Sequence, residues 1–145
     1  WPKNNCKKKI KRKKKNIYII LSSQMIKFKS LNKSKDFLNI LKKNKMNTKY
    51  FTIYYKKNLD APGKNLNKYL NISFVMKKKV GNAVIRNKIK RKLKYAVQKL
   101  SSKSKLIDLN CTYVIFGKNN IYKDKFTSIF SEMDNTFRKI KRANS

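Results

Sequence analysis

Between Leu70 and Leu100 the apolar residues change period once, and the change falls at Gly81. Before it, Ile72, Phe74 and Met76 alternate as one face of a strand. After it, Ile85, Ile89, Leu93, Ala96 or Val97, and Leu100 recur at helical spacing. A chain that passes from a strand into a long one-sided helix within a few residues is restricted to folds in which helices cover a sheet. Glycine permits backbone angles that a side chain forbids, and the amide oxygen of Asn82 can cap the helix that follows.

The flanking sequence fits that frame. Asp36, Phe37, Leu38, Ile40 and Leu41 predict a helix capped by Ser34 or Asn32, with Phe37, Ile40 and Leu41 on one face. Tyr50 to Tyr55 is aromatic and β-branched and predicts a strand, followed by a turn at Asp60-Ala-Pro-Gly63. Leu70 to Met76 and Tyr113 to Phe116 predict two more strands. Ile121 to Ile140 predicts a last helix through Phe126, Ile129, Phe130, Met133 and Phe137. Ile17 to Phe28 reads either as a short strand or as a hydrophobic linker. The expected class is α+β, a small α/β sandwich with a central, mostly antiparallel sheet in the order helix, strands, helix, strand, helix.

Charge decides what such a body meets. The 145 residues carry 40 Lys+Arg against 6 Asp+Glu, a formal net charge of +34, so the partner is a polyanion or the charge is merely solvated. AT-biased coding also enriches lysine and asparagine, which makes placement more informative than the total. The acids are Asp36, Asp60, Asp108, Asp124, Glu132 and Asp134, leaving Ala61 to Ile107 without one. That gap surrounds Gly81. Residues 1–16 are dominated by Lys and Arg and predict a disordered basic tail. With 40% hydrophobic residues, 17–145 suffices for a single domain with one core. Cys6 and Cys111 form neither a disulfide framework nor a zinc pattern, and a reducing cytoplasm fits them. The apolar run Ile17 to Leu21 is too short for a membrane helix, and no cleavage pattern follows it. Because the chain starts at Trp1, a fragment, a processed product and a different translation start all stay open.

On the helix after Gly81, Arg86, Lys90 and Lys94 are four apart on one line, with Asn87 and Arg91 on the next, away from the apolar stripe. Lys77, Lys78 and Lys79 extend the cationic field upstream. Guanidinium groups bind phosphate bidentately, lysines act as point charges, and Asn87 offers both donor and acceptor. A solvated basic face is the plainer account, but the absence of acids, the Gly81-Asn82 entry and the Arg86-Asn87 pair favour a bound polyanion. Phe37, Leu41 and Tyr54 are either core or a platform for unpaired bases. The chain has no His, and Glu132 and Asp134, two apart on a helix, face different ways. Nothing predicts a phosphodiester-cleaving site or a directly bound metal.

At these residues the chain resembles the protein subunit of bacterial ribonuclease P, whose signature runs Ser-Lys-Lys-Val-Gly-Asn-Ala-Val-x-Arg-Asn-Arg-x-Lys-Arg. Here it reads Lys77-Lys-Lys-Val-Gly-Asn-Ala-Val-Ile-Arg-Asn-Lys-Ile-Lys-Arg91. Lys77 replaces the serine, and Lys88 replaces an arginine and gives up its bidentate geometry. Asp36 to Leu41 is similar to the family's first helix, Tyr50 to Tyr54 to its first long strand and Tyr113 to Lys118 to its last, so the resemblance covers about 26–141. Thr112 and Lys118 stand where the family usually has an acid and an arginine.

The resemblance implies a left-handed βαβ crossover around the signature helix. It implies that Lys78, Lys79, Asn82, Arg86, Asn87, Lys88, Lys90, Arg91 and Lys94 contact the catalytic RNA. It also implies that Phe37, Leu41, Tyr54 and Lys79 hold the 5′ leader of precursor tRNA, with Leu41 where an aromatic is often found. The implied function is assistance in removing that leader, with magnesium required by the RNA–protein holoenzyme, hydrolysis performed by the RNA, and no obligate protein partner. The rivals are a ribosomal protein, which composition alone favours, a DNA-binding regulator, which lacks a helix-turn-helix pair, and a membrane-surface helix, whose apolar stripe the sheet needs.

Overall fold

The computed structural model describes residues 26–58, 69–103 and 105–144. The basic tail, Cys6, the Ile17–Leu21 run and the Asp60-Ala-Pro-Gly63 turn lie outside the described residues. In chain order the elements are β1 (Lys27–Lys29), α1 (Ser34–Leu41), β2 (Asn44–Asn47), β3 (Phe51–Lys57), β4 (Tyr69–Met76), a 3-10 turn (Lys78–Val80), α2 (Ala83–Lys103), β5 (Cys111–Gly117), α3 (Asn120–Lys123) and α4 (Phe126–Asn144).

The five strands form one sheet in the order β1-β4-β5-β3-β2. β1 with β4 and β4 with β5 are parallel, whereas β5 with β3 and β3 with β2 are antiparallel. The sheet is therefore mixed, not mostly antiparallel. Its direction follows from the connections: β4 reaches β5 through the 21 residues of α2, a crossover that returns the chain parallel to itself. β5 lies at the centre, and Tyr113, Val114 and Ile115 are fully buried, as a strand covered on both faces requires.

The larger core lies on one face, where Phe51, Ile53, Tyr55, Leu70, Ile72, Tyr113 and Ile115 meet α2 and α4. From α2 come Ile89, Leu93, both Ala96 and Val97, and Leu100; from α4 come Ile129, Met133, Phe137 and Ile140. Tyr113 and Phe137 pack edge to face at 5.4 Å. Gly117 permits a close approach, since a Cβ there would lie 2.9 Å from Ile89. On the other face α1 lies across β5, β3 and β2, burying Ile40 and Val114.

Two helix boundaries differ from expectation. The residue before α1 is Lys33, with no side-chain cap, so neither Ser34 nor Asn32 caps it; Ser34 is already its first helical residue. The last helix is two helices, because Asp124 is extended (φ −85°, ψ 159°). Its carboxylate accepts hydrogen bonds from Tyr50 Oη (2.9 Å) and Lys49 Nζ (3.1 Å). The Lys92 ammonium donates to the carbonyls of Ile121, Tyr122 and Asp124, tying α3 to α2. Of the ambiguous run Ile17 to Phe28, the described part joins the sheet through β1. β2 was not expected.

Candidate nucleic-acid interface

The first surface begins at Gly81, whose φ of +149° disfavours any side chain and whose added Cβ would sit 3.1 Å from Ile85. The next residue fixes the helix start: Ile85 N donates to Asn82 Oδ1 at 3.0 Å. Along α2 the cations then sort by position. Lys90 and Lys94 are exposed on the flank toward β4 and β1, with Lys94 Nζ 5.9 Å from the Phe28 ring. Asn87 and Arg91 occupy the exposed ridge, while Lys88 leans to the other flank, its Nζ 5.1 Å from the Tyr122 ring. Lys78, Lys79 and Asn82 are exposed just upstream.

Arg86 is less exposed than Lys90 and Lys94, which share its line. It is half-buried beside a hollow of about 270 Å³ formed with Phe74, Met76, Ala83, Asn87 and Lys90, and its Nε is buried without a hydrogen-bond partner. A buried donor left unpaired is costly, so this guanidinium has unused capacity at the edge of the exposed row.

The second surface lies on the opposite face of the sheet. Strand register sets it: Thr52 pairs with Phe116 and Tyr54 with Val114, which makes Tyr54 and Phe116 diagonal neighbours on the α1 side. Their rings meet edge to face at 5.6 Å, and Phe37 of α1 joins Phe116 at 6.2 Å. Together with Leu41, Lys45, Lys77, Lys79 and Lys118 they line a groove of about 740 Å³. Phe37, Leu41, Tyr54 and Lys79, separated along the chain, thus share one groove. Lys45 Nζ sits 5.8 Å from the Tyr54 ring and Lys77 Nζ 5.9 Å from that of Phe116. Aromatic floor and cationic rim are the two components that single-stranded nucleic acid uses.

Sequence reading missed Phe116 and Lys45 as groove residues. Phe116 is the sixth residue of β5, and strand alternation could have set it on the Tyr54 face had the pairing register been known. Lys118, in place of the family's arginine, donates to Asn47 Oδ1 at 2.9 Å and to the Thr48 carbonyl, pinning the turn between β2 and β3. Thr112, in place of the acid, donates to Asn58 Oδ1 at 3.0 Å.

Among the described residues no group of three or more His, Cys, Asp or Glu could hold a metal ion, and no helix is long and apolar enough to cross a membrane. Asp134 is bonded to Arg138 at 2.7 Å. The Tyr50 hydroxyl and then Lys49 hold the Asp124 carboxyl below its ordinary range. Burial, assisted by the neighbouring Asp108 carboxylate, pushes the Cys111 thiol up to about 11.

The family described as Ribonuclease P matches residues 25–141. The ribonuclease P protein component of Mesomycoplasma hyopneumoniae is 30% identical over 119 residues, spanning 81% of this chain and 97% of the relative. That of Carboxydothermus hydrogenoformans is 28% identical over 120 residues, spanning 82% and 97%. Two solved structures share the fold: the RNase P protein from Thermotoga maritima (TM-score 0.60, 22% identity, 77% of this chain and 96% of that one) and that from Staphylococcus aureus (TM-score 0.61, 21% identity, 77% and 94%). The match runs from β1 into α4 and takes in the strand, the obligatory glycine and the capped basic helix, so the chain belongs to the bacterial ribonuclease P protein component family.

Proposed function

We propose that this protein grips the catalytic RNA of ribonuclease P with α2 and holds the single-stranded 5′ leader of precursor tRNA in the groove beside α1. The RNA contact uses Lys78, Lys79, Asn82, Arg86, Asn87, Lys88, Lys90, Arg91 and Lys94; the leader contact uses Phe37, Leu41, Tyr54 and Lys79. The observation that carries the reading is the groove itself, in which an aromatic floor and a lysine rim come together from α1, β3, β5 and the signature segment. Lys79 belongs to both sets, which puts the leader beside the catalytic RNA.

Each group has a bounded task. Lysines and arginines replace counterions on phosphates, and the Arg86 guanidinium, with an unpaired Nε, is available to a phosphate at the edge of the hollow. Phe37, Tyr54 and Phe116 offer ring faces or edges to unpaired bases. In this reading the RNA performs the metal-assisted hydrolysis, while the protein lowers phosphate repulsion and favours precursor over mature tRNA. The same reading takes residues 17–145 as one cytoplasmic domain, residues 1–16 as a basic arm, and the β4-α2-β5 crossover as left-handed.

The deciding experiment is cleavage of a 5′-extended precursor tRNA by a bacterial ribonuclease P RNA, preferably the cognate one, at low magnesium and near-physiological salt. Protein-dependent cleavage at the mature 5′ end is expected, with loss of holoenzyme assembly in Arg86→Ala and Asn87→Ala. Full assembly and cleavage by both variants would contradict the assignment of the α2 surface.

A further inference from the structure

One row of α2 runs past the signature. Asn87, Arg91, Tyr95, Lys99 and Lys103 are spaced by four, and such a row is inclined to the helix axis. It starts on the exposed ridge of the signature and winds over about 24 Å toward α4. There it meets rings. The centroid of Tyr95 lies 5.2 Å from that of Phe126, which in turn stacks on Phe130 at 6.0 Å and 30°. Lys99 Nζ is 5.6 Å from the Phe126 centroid and 5.2 Å from that of Phe130, and Lys103 Nζ is 5.7 Å from the latter.

Core packing accounts for part of this cluster. Phe126 and Phe130 are half-buried against the main core, and lysine stems commonly lie along such edges. Packing gives no reason for Tyr95, which is 56% exposed although its ring meets that of Phe126. Nor does packing require every charged residue of α2 to be a cation. Asp134, one turn beyond Phe130 on α4, is already engaged by Arg138. An exposed ring flanked by cations and continuous with Asn87 and Arg91 matches an unpaired base followed by its phosphates, and a polyanion fits it better than a protein or a lipid face.

We infer that the Tyr95-Lys99-Lys103 row, with Phe126 and Phe130 behind it, is a second RNA-binding surface that stacks an unpaired nucleotide of the ribonuclease P RNA and holds the adjoining phosphates. This rests on the reading of the signature surface as the catalytic-RNA contact. α2 then binds one RNA along two successive stretches, the signature near its start and the aromatic row near its end.

The test is photo-crosslinking in the assembled holoenzyme, with p-benzoylphenylalanine replacing Tyr95 in one preparation and Lys90 in another. Crosslinks from both positions to ribonuclease P RNA, at different nucleotides, are expected. A crosslink from position 90 alone, or one from position 95 to the leader or to a protein, overturns the second surface and leaves the signature reading standing. No RNA crosslink from either position overturns both. In direct binding, Tyr95→Ala should weaken RNA affinity about ten-fold while Tyr95→Phe restores it. Lys99→Gln with Lys103→Gln should lower the salt slope of log K by about 2. Wild-type affinity in Tyr95→Ala, with an unchanged melting temperature, would also overturn the inference.

Discussion

Gly81 and Asn82 meet separate demands at one corner. Gly81→Ala should cost about 1–3 kcal/mol, since the new side chain meets both a disfavoured φ and the Ile85 side chain. Asn82→Ala should cost about 1 kcal/mol through the lost cap, and Asn82→Ser should recover most of it. Urea titration measures both, and a residual RNA-binding defect in Asn82→Ser would separate contact from capping. Cys111 gives a pH signature. Its thiol is raised in the folded protein to about 11, from about 8.5 unfolded, so its contribution is full below the unfolded value and is lost as pH rises through the folded one. The stability difference between the wild type and Cys111→Ala should shrink from pH 8.5 to pH 11. At this scale the sequence was legible where chemistry is local, as in the Asn82 cap. It was not legible at Asp124, whose partners Tyr50 and Lys49 lie 74 and 75 residues away, nor at Arg86, which shares its hollow with Phe74 and Met76 of β4.

Among the elements, those with a clear apolar period were legible: α1, β3, β4, α2 and β5 stand where alternation or helical spacing predicted them. β1 and β2 were hidden because they are short edge strands, Lys-Phe-Lys and Asn-Lys-Met-Asn, whose polar residues blunt an open sheet edge instead of marking a core. Parallel pairing was hidden for another reason, since periodicity carries no direction. Register also decides the groove, because Phe116 reaches Tyr54 only through the β3–β5 pairing. Phe116→Ala should therefore weaken binding of leader-bearing precursor tRNA by roughly 5- to 100-fold and leave mature tRNA almost unaffected, as measured by filter binding to the holoenzyme. Equal weakening of both substrates would remove Phe116 from the leader site.

For the whole molecule, the excess of 34 positive charges makes low-salt RNA binding uninformative, and salt dependence is the useful observable. Arg91, exposed on the α2 ridge, should reduce the slope of log K against log salt by about 1 when changed to Ala. An unchanged slope would take Arg91 off the phosphates. The sequence indicated a basic, sheet-and-helix domain with a polyanionic partner, because net charge and apolar content are sums over the chain. The pairing of β1 with β4 and the turn held by Lys118 depend instead on distant contacts. β5 has a consequence for binding energetics. Tyr113 and Ile115 on one side belong to the main core, while Phe116 on the other forms the groove floor. A floor that is also the middle of the sheet cannot reshape itself without repacking that core, so in the proposed role the conformational entropy of ordering falls on the leader. Leaders already stacked in solution then surrender less freedom, which gives the groove a preference based on base stacking even where no base edge is read.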